Sequence, residues 1–276
     1  MTSLADILAA TRRKVTATRS TANQPELERQ AAVHVPRGFR KALQAKSAAG
    51  IAVIAELKKA SPSKGLIRSN FHPTALASQL ESAGATALSV LTDEEFFSGS
   101  LANLRAASAA TRLACLRKDF IVDEFQVLEA RANCADAILL IVAALSQEEL
   151  VALNKRAVEF QLDVLCEIHD EEELGRALDA GCDLVGVNSR DLRSFKVDLE
   201  TAFRLAESLP PGAIAVAESG IESGADIARL RTAGYDAFLI GESLMKAEDP
   251  ADALKFLLSK AMQLPTSNDE RPTTVS

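Results

Sequence analysis

The chain is 276 residues long, 47% hydrophobic and 25% charged, with 31 Lys and Arg against 38 Asp and Glu and a formal net charge of −7. That length can bury one large core, and an acid excess with no long basic run argues against nucleic acid or an anionic membrane as the main partner. No stretch approaches the ~20 consecutive apolar residues that a bilayer span needs.

The first twenty residues lack the long apolar stretch of a secretory signal. Arg12, Arg13, Lys14 and Arg19 among Ser and Thr resemble the composition of an organelle transit peptide, but Asp6 and the amphipathic spacing of Leu4, Ile7 and Leu8 favour an ordinary first helix. Two helices are predicted before the first strand, at about 3–18 and 37–47, joined by a linker containing Gln, Pro and Glu. Residues 1–48 are too few for a domain, so this helical extension is expected to pack across the body of the protein.

From residue 51 short apolar runs alternate with amphipathic helical stretches. The strand candidates are IAVIAEL (51–57), ATALSVL (85–91), LACLRKD (113–119), ADAILLI (135–141), LDVLCEI (162–168), DLVGVN (183–188), AIAVAES (213–219) and DAFLIG (236–241). Each is nearly continuous in apolarity, as a parallel strand covered on both faces should be. Several intervening helices end in Ala-Gly, where Gly84, Gly181 and Gly234 can take the left-handed C-terminal cap. Eight such units without a G-x-G-x-x-G dinucleotide fingerprint predict an α/β fold, a single (βα)8 TIM barrel over residues 49–263. Residues 264–276 are expected to be a flexible polar tail.

In such a barrel, chemistry gathers at the C-terminal ends of the strands. Strand one ends in Glu56-Leu57-Lys58, whose two charged side chains fall on one side of the strand above Ile54. Strand three ends in Lys118, strand five in Glu167, strand six in Asn188 and strand seven in Glu218. A rim of structural ion pairs explains any one of these. It explains five together poorly, because burying each ion costs several kcal/mol unless it is paired or hydrated. The loops after strands seven and eight carry Ser219, Gly220, Gly241 and Ser243, small residues placed where barrels bind phosphate. The loop after strand one, Lys59 to Gly65, has the Pro and Gly punctuation of a mobile lid. Phe96, Phe97 and Phe120 stand out in a chain with 4% aromatics and suggest a wall for an aromatic substrate.

Cys115, Cys134, Cys166 and Cys182 show no C-x-x-C spacing and are expected to be reduced, buried thiols. His34, His72 and His169 lie far apart, so no metal site is expected, and the whole reads as a cytoplasmic protein.

At these residues the chain closely resembles the indole-3-glycerol-phosphate synthases of tryptophan biosynthesis. The matching stretches are IAELKKASPSKG (54–65), LTDEEFFSGS (91–100), LRKDFIVDEFQ (116–126), ADAILLI (135–141), CEIHDEEEL (166–174), GVNSRDL (186–192), VAESGI (216–221) and FLIGESLM (238–245). The resemblance implies a lyase that closes the indole ring of 1-(2-carboxyphenylamino)-1-deoxyribulose 5-phosphate with loss of CO2 and water. It implies that Lys118 is the general acid of ring closure, that Glu167 holds Lys118, and that Glu56 and Lys58 act in dehydration. Asn188 and Glu218 would support substrate hydroxyls and the lysines; Ser61, Phe97, Phe120, Arg190, Ser219, Gly220, Gly241 and Ser243 would contact phosphate, lid or ring. Glu242 departs from a small hydroxyl residue common in the family, so only its backbone is expected near phosphate. No cofactor and no metal are implied, and no fused isomerase domain is expected after unit eight. The expected partner is one phosphorylated aromatic small molecule, and the expected state a monomer, with a dimer as the alternative. A neighbouring isomerase barrel would instead need a Cys and Asp pair where this chain has Glu56 and Asn188. A Schiff-base aldolase using Lys118 and a non-catalytic phosphate-ligand binder complete the alternatives.

Overall fold

A computed structural model describes residues 3–191, 194 and 196–264 of the chain. Apart from Leu264, the expected polar tail lies outside these described residues, as does Leu192 of the GVNSRDL stretch.

Eight parallel strands close into a barrel: β1 (Ala52–Leu57), β2 (Ala87–Leu91), β3 (Ala114–Lys118), β4 (Ala137–Ile141), β5 (Asp163–Ile168), β6 (Leu184–Asn188), β7 (Ile214–Glu218) and β8 (Ala237–Ile240). Each pairs with the next, and β8 returns to β1 with Ala52 opposite Ala237. All eight lie inside the predicted runs, and several start one or two residues late. The first residues of an apolar run are still closing the preceding helix. Ala85 N–H donates to Leu80 C=O, and Ala135, Leu162, Cys182 and Tyr235 make the same backward bond five residues on, the six-to-one bond of a Schellman cap. The left-handed residue that this cap requires is Gly84, Gly181 or Gly234 in three units, but Cys134 (φ 65°) and Gln161 (φ 56°) in two others. Only the glycines announce themselves in sequence.

Alternation along each strand divides the core in two. Ala52, Ile54, Leu116, Leu139, Leu165, Leu184, Val216 and Leu239 fill the barrel interior. Their neighbours Val53, Leu88, Cys115, Ile138, Cys166, Val185, Ala217 and Phe238 face the helices. Each fully buried Leu or Ile stabilises the fold by roughly 1.5–3 kcal/mol.

The surrounding helices are α4 (Pro73–Ser82), α5 (Leu101–Ala109), α6 (Glu124–Ala132), α7 (Gln147–Glu159), α8 (Glu171–Asp179), α9 (Glu200–Ala206), α10 (Gly224–Thr232), the short α11 (Glu242–Lys246) and α12 (Pro250–Met262). Before them come three helices rather than the predicted two: α1 (Leu4–Thr21), α2 (Gln24–Val33) and α3 (Phe39–Ala49). The segment expected as a linker forms α2 because Asn23 caps it, accepting from Glu26 N–H, and Pro25 sits in its first turn.

These three helices hold both ends of the barrel. Phe39 and Leu43 of α3, both 0% exposed, belong to the interior cluster and plug the N-terminal end. Helix α2 packs Ala31 against Leu128 and Ala132 of α6. Helix α1 crosses the C-terminal mouth, where Leu4 and Ile7 line the cavity beside Lys118. Its ion pairs to the rim, Arg12–Glu149 (2.9 Å), Lys14–Glu94 (2.9 Å) and Arg19–Asp123 (3.3 Å), are solvent-exposed. Such pairs contribute little, so burial of Ile7, Thr11 and Val15 holds α1 in place.

One cysteine expectation is corrected. Cys115 and Cys134 are free thiols, but Cys166 and Cys182 form a disulfide with Cα atoms 6.4 Å apart. Helix α8 returns the chain so that Cys182, two residues ahead of β6, lies beside the outward face of β5. A pair separated by 16 residues carries no local spacing signal.

The N-terminal extension is tied to the barrel by Asp136, whose side chain is fully buried. Its carboxylate accepts from His34 Nε2 (3.1 Å), Arg37 N–H (2.8 Å), Arg37 Nε (2.9 Å) and Cys115 N–H (2.6 Å). Burial alone would raise its pKa, but the His34 and Arg37 donors outweigh that and hold it below the usual carboxylate range. The stabilisation is therefore present above the unfolded value of about 3.9 and is lost as pH falls through the depressed folded value. Asp136→Ala leaves Arg37 and Cys115 N–H without their acceptor and should cost about 3 kcal/mol. Urea unfolding measures it, and a loss below about 1 kcal/mol would contradict this anchoring role.

Candidate active site

Alternation also decides which polar residues enter the mouth. On β3, Arg117 points outward and binds Asp119 (3.0 Å) and Glu129 (2.9 Å), which fixes the strand end and turns Lys118 inward. On β5, Cys166 points outward and Glu167 inward by the same alternation.

Lys118 Nζ donates to Glu167 Oε2 at 2.7 Å and lies 3.3 Å from Glu218 Oε2. Asn188 Nδ2 donates to the other oxygen of Glu167 at 3.0 Å. Glu167 and Glu218 are each 1% exposed. At the end of β1, Lys58 Nζ lies 2.7 Å from Glu56 Oε1, the same-side pairing expected from their spacing. All six expected catalytic residues thus meet in one mouth.

The charges are not equivalent. Burial lowers the Lys118 pKa, but Glu167, Glu218 and Glu56 together outweigh it and hold the ammonium protonated. Glu167 is pushed down: burial opposes this, and the Lys118 charge, then His169, overcome it. Glu218 goes the other way, up to about 8; burial leads, and the neighbouring Glu167 and Glu56 charges add to it. Glu218, with the longer lysine contact, is thus the carboxyl that its surroundings push toward the protonated form.

Two cavities open from this cluster and share Glu56, Lys58, Arg190 and Ser219. The larger, ≈ 910 Å³, is lined by Lys58, Arg190, Ser219, Gly220, Gly241, Ser243 and Lys246. Ser219 (φ 65°) and Gly220 (φ 79°) are successive left-handed residues that bring the loop backbone to the edge of this cavity. At Gly241 a β-carbon would overlap the Glu56 carboxylate, so only glycine lets the two strand ends approach. Ser243 Oγ donates to Ile221 C=O at 3.2 Å and ties the two loops together. Glu242 turns its carboxylate to Lys246 (2.6 Å) and Arg190 (3.3 Å).

The smaller cavity, ≈ 130 Å³, is lined by Leu4, Ile7, Phe97, Phe120, Leu139 and Ile141. The Phe97 and Phe120 rings lie 6.3 Å apart at 43°; Phe96 lines neither cavity. Ser61 faces this aromatic side, its buried Oγ without a partner, rather than the larger cavity. The segment expected as a polar lid forms a small hairpin, Ala60–Ser61 against Gly65–Leu66, fastened to the Phe97 loop by Ala60 N–H to Phe97 C=O at 3.2 Å. The sequence reading missed Leu4, Ile7, Leu139 and Ile141 as lining residues; all are apolar and indistinguishable in sequence from core. It also left His169 unassigned, although the ring lies 3.6 Å from Glu167.

A closed (βα)8 barrel with lysines paired to buried carboxylates at its strand ends, beside a cradle of left-handed loop residues, is a barrel enzyme of the acid–base type. Residues 4–257 match the family model for indole-3-glycerol phosphate synthase. The chain is 60% identical over 252 residues to an indole-3-glycerol phosphate synthase of Koribacter versatilis, covering 91% of this chain and 97% of that protein. It is 51% identical over 234 residues to one of Acidithiobacillus ferrooxidans, covering 83% and 89%. The chain belongs to the indole-3-glycerol phosphate synthase family, decarboxylating carbon–carbon lyases of tryptophan biosynthesis. More distant solved structures share the fold alone. One is 3-hexulose-6-phosphate synthase from Salmonella typhimurium, with TM-score 0.62, 13% identity and coverage of 77% and 99%. Another is thiamine phosphate pyrophosphorylase from Pyrococcus furiosus, with TM-score 0.58, 18% identity and coverage of 77% and 96%.

Gly186 on β6 tests the geometry. A β-carbon there would collide with Glu218 Oε1 and come within 3.2 Å of Leu165. Gly186→Ala should displace Glu218 and cut kcat about 10²-fold while circular dichroism is unchanged. Unaltered kcat would show that the position of Glu218 does not matter to turnover.

Proposed function

We propose that this mouth converts 1-(2-carboxyphenylamino)-1-deoxyribulose 5-phosphate to indole-3-glycerol phosphate, CO2 and water by acid–base chemistry divided between two Lys/Glu pairs. The observation that carries the division is the placement of Lys118 between Glu167 and Glu218, apart from the Glu56–Lys58 pair. The apolar cavity of Phe97, Phe120, Leu139 and Ile141 takes the aromatic ring, and the Ser219, Gly220, Gly241 and Ser243 loops take the phosphate. Lys58 and Arg190, which line both cavities, face the chain between them.

The aromatic carbon that bears the carboxylate attacks the ketone carbon, and the ketone oxygen takes a proton from Lys118. Departure of CO2 returns the electron pair to the ring, so restored aromaticity drives this step and no electron-sink cofactor is needed. Glu167 holds Lys118 in place, and the proton on Glu218 can restore the ammonium. Glu56 then removes a proton from the carbon beside the nitrogen, and Lys58 protonates the departing hydroxyl. Proton transfer requires each acid or base within hydrogen-bond reach of the substrate atom that it serves; within each pair the lysine and its carboxylate lie 2.7 Å apart, so each carboxylate holds its lysine in place. Asn188 and Ser61 supply uncharged contacts to the substrate and lid.

The proposed working state is a monomer in the cytoplasm, with a dimer as the alternative; no helix among the described residues is long and apolar enough to cross a membrane. Incubation with the carboxyphenylamino-deoxyribulose phosphate should produce indole fluorescence. Lys118→Ala should lower turnover by about 10³-fold or more with the fold intact. Ordinary turnover in that variant sinks the assignment, and borohydride trapping of a substrate adduct on Lys118 would replace general acid with Schiff-base chemistry.

A further inference from the structure

His169 follows the end of β5 and is the one histidine of three beside the catalytic cluster. Glu173, in the first turn of α8, reaches back with one carboxylate oxygen to accept from both His169 N–H (2.8 Å) and His169 Nδ1 (3.0 Å). An ionised carboxylate only accepts, so Nδ1 carries a proton. The opposite ring nitrogen, Nε2, is buried, has no hydrogen-bond partner and lies 3.6 Å from Glu167 Oε1. A lone pair on Nε2 would face a carboxylate across that gap, whereas an N–H there faces it with complementary charge.

We propose that His169 is a positioning residue of the ring-closing step: its imidazolium, set by Glu173, lies against Glu167 and keeps that carboxylate ionised and aimed at Lys118. The proposal rests on the assignment of Lys118 and Glu167 above. Glu167 then meets a donor or cation on three sides, Lys118 at one oxygen, Asn188 and His169 at the other. That leaves it a weak base which orients the ammonium without taking its proton. The ionisable groups acting on the ring are Glu167 of β5, Glu173 of α8 and Glu218 of β7, with Lys118 of β3 behind Glu167, while β6 contributes the neutral Asn188 amide. Burial lowers the imidazole pKa; the Glu173 bond and the Glu167 charge outweigh this and raise it above its usual value. The cationic form is therefore present at low pH and is lost as pH rises through that raised value.

The experiment compares single-turnover indole formation in wild type, His169→Asn and Glu173→Gln across pH 5.5–9. The wild-type to His169→Asn ratio should be about tenfold where the imidazolium is charged and fall toward one as pH rises, with KM little changed. Loss of the imidazolium also shifts the Glu218 titration, so the fall in the ratio is matched against the His169 titration itself, followed by NMR. Glu173→Gln keeps an acceptor oxygen for His169 N–H but removes one anion, so the wild-type to Glu173→Gln comparison should move the fall to lower pH. The His169 ring resonances in carbon–proton NMR should titrate above 6.5 in wild type and lower in Glu173→Gln. A ratio that is flat with pH, even with a lowered Tm, reduces His169 to a structural anchor of the β5–α8 turn and overturns the proposal. So does a ring that titrates at or below its usual value. If His169→Asn does not fold, the Glu173→Gln profile and the wild-type titration decide alone. Absence of indole formation in wild type would instead overturn the assignment of the site itself.

Discussion

The constraint on which the mouth depends is a shortage of one positive charge. Glu56, Glu167 and Glu218 converge on Lys58 and Lys118, and the His169 ring beside Glu167 brings a carboxylate of its own, Glu173, so the acids still outnumber the cations by one. Full ionisation would leave a net negative charge in a low-dielectric cavity, where an uncompensated ion costs several kcal/mol. The cluster resolves this by keeping a proton on Glu218. A site that holds a proton on Glu218 next to Lys118, the proposed general acid, is suited to chemistry that must give a proton and recover it.

The barrel makes that arrangement possible through alternation. Because successive side chains point to opposite faces, β3 sends Arg117 outward into Asp119 and Glu129 and Lys118 inward, and β5 does the same with Cys166 and Glu167. Each inward charge thus stands on a strand whose outward neighbours are locked by packing, an ion network or a disulfide. The polar layer sits above an apolar one of Ile54, Leu116 and Leu165, which closes the barrel from below. Stability and reactivity occupy adjacent layers of the same strands.

How much of this is legible in the sequence depends on the same layering. Strand ends carrying Glu56, Lys58, Lys118, Glu167, Asn188 and Glu218 stand out because a charge at the end of an apolar run contradicts its surroundings. Gly84, Gly181 and Gly234 mark the caps, whereas Cys134 and Gln161 hold the same left-handed conformation with nothing in their identity to show it. Helix α2 is hidden because Pro25 reads as a linker unless it is placed in the first turn after Asn23. The Cys166–Cys182 pairing and the ring of Leu4, Ile7, Leu139 and Ile141 depend on distances between elements, which periodicity does not encode. His169 sits in plain view in CEIHDEEEL, but its partner at the next helical turn looks like part of an acidic first turn of α8.

The cleft proposed for the phosphate shows the same balance of charge in reverse. The chain is acidic overall, and Glu242 carries a carboxylate to the cleft that the cradle loops surround. Burial would raise its pKa, but the Lys246 bond, then the Lys246 and Arg190 charges, hold it ionised. Glu242 therefore engages two cations that an incoming dianion also attracts. Lys58 lies between this group and the catalytic cluster, paired with Glu56 but lining the same cleft. In the proposed reaction, a phosphate held in this cleft would compete with Glu56 for Lys58.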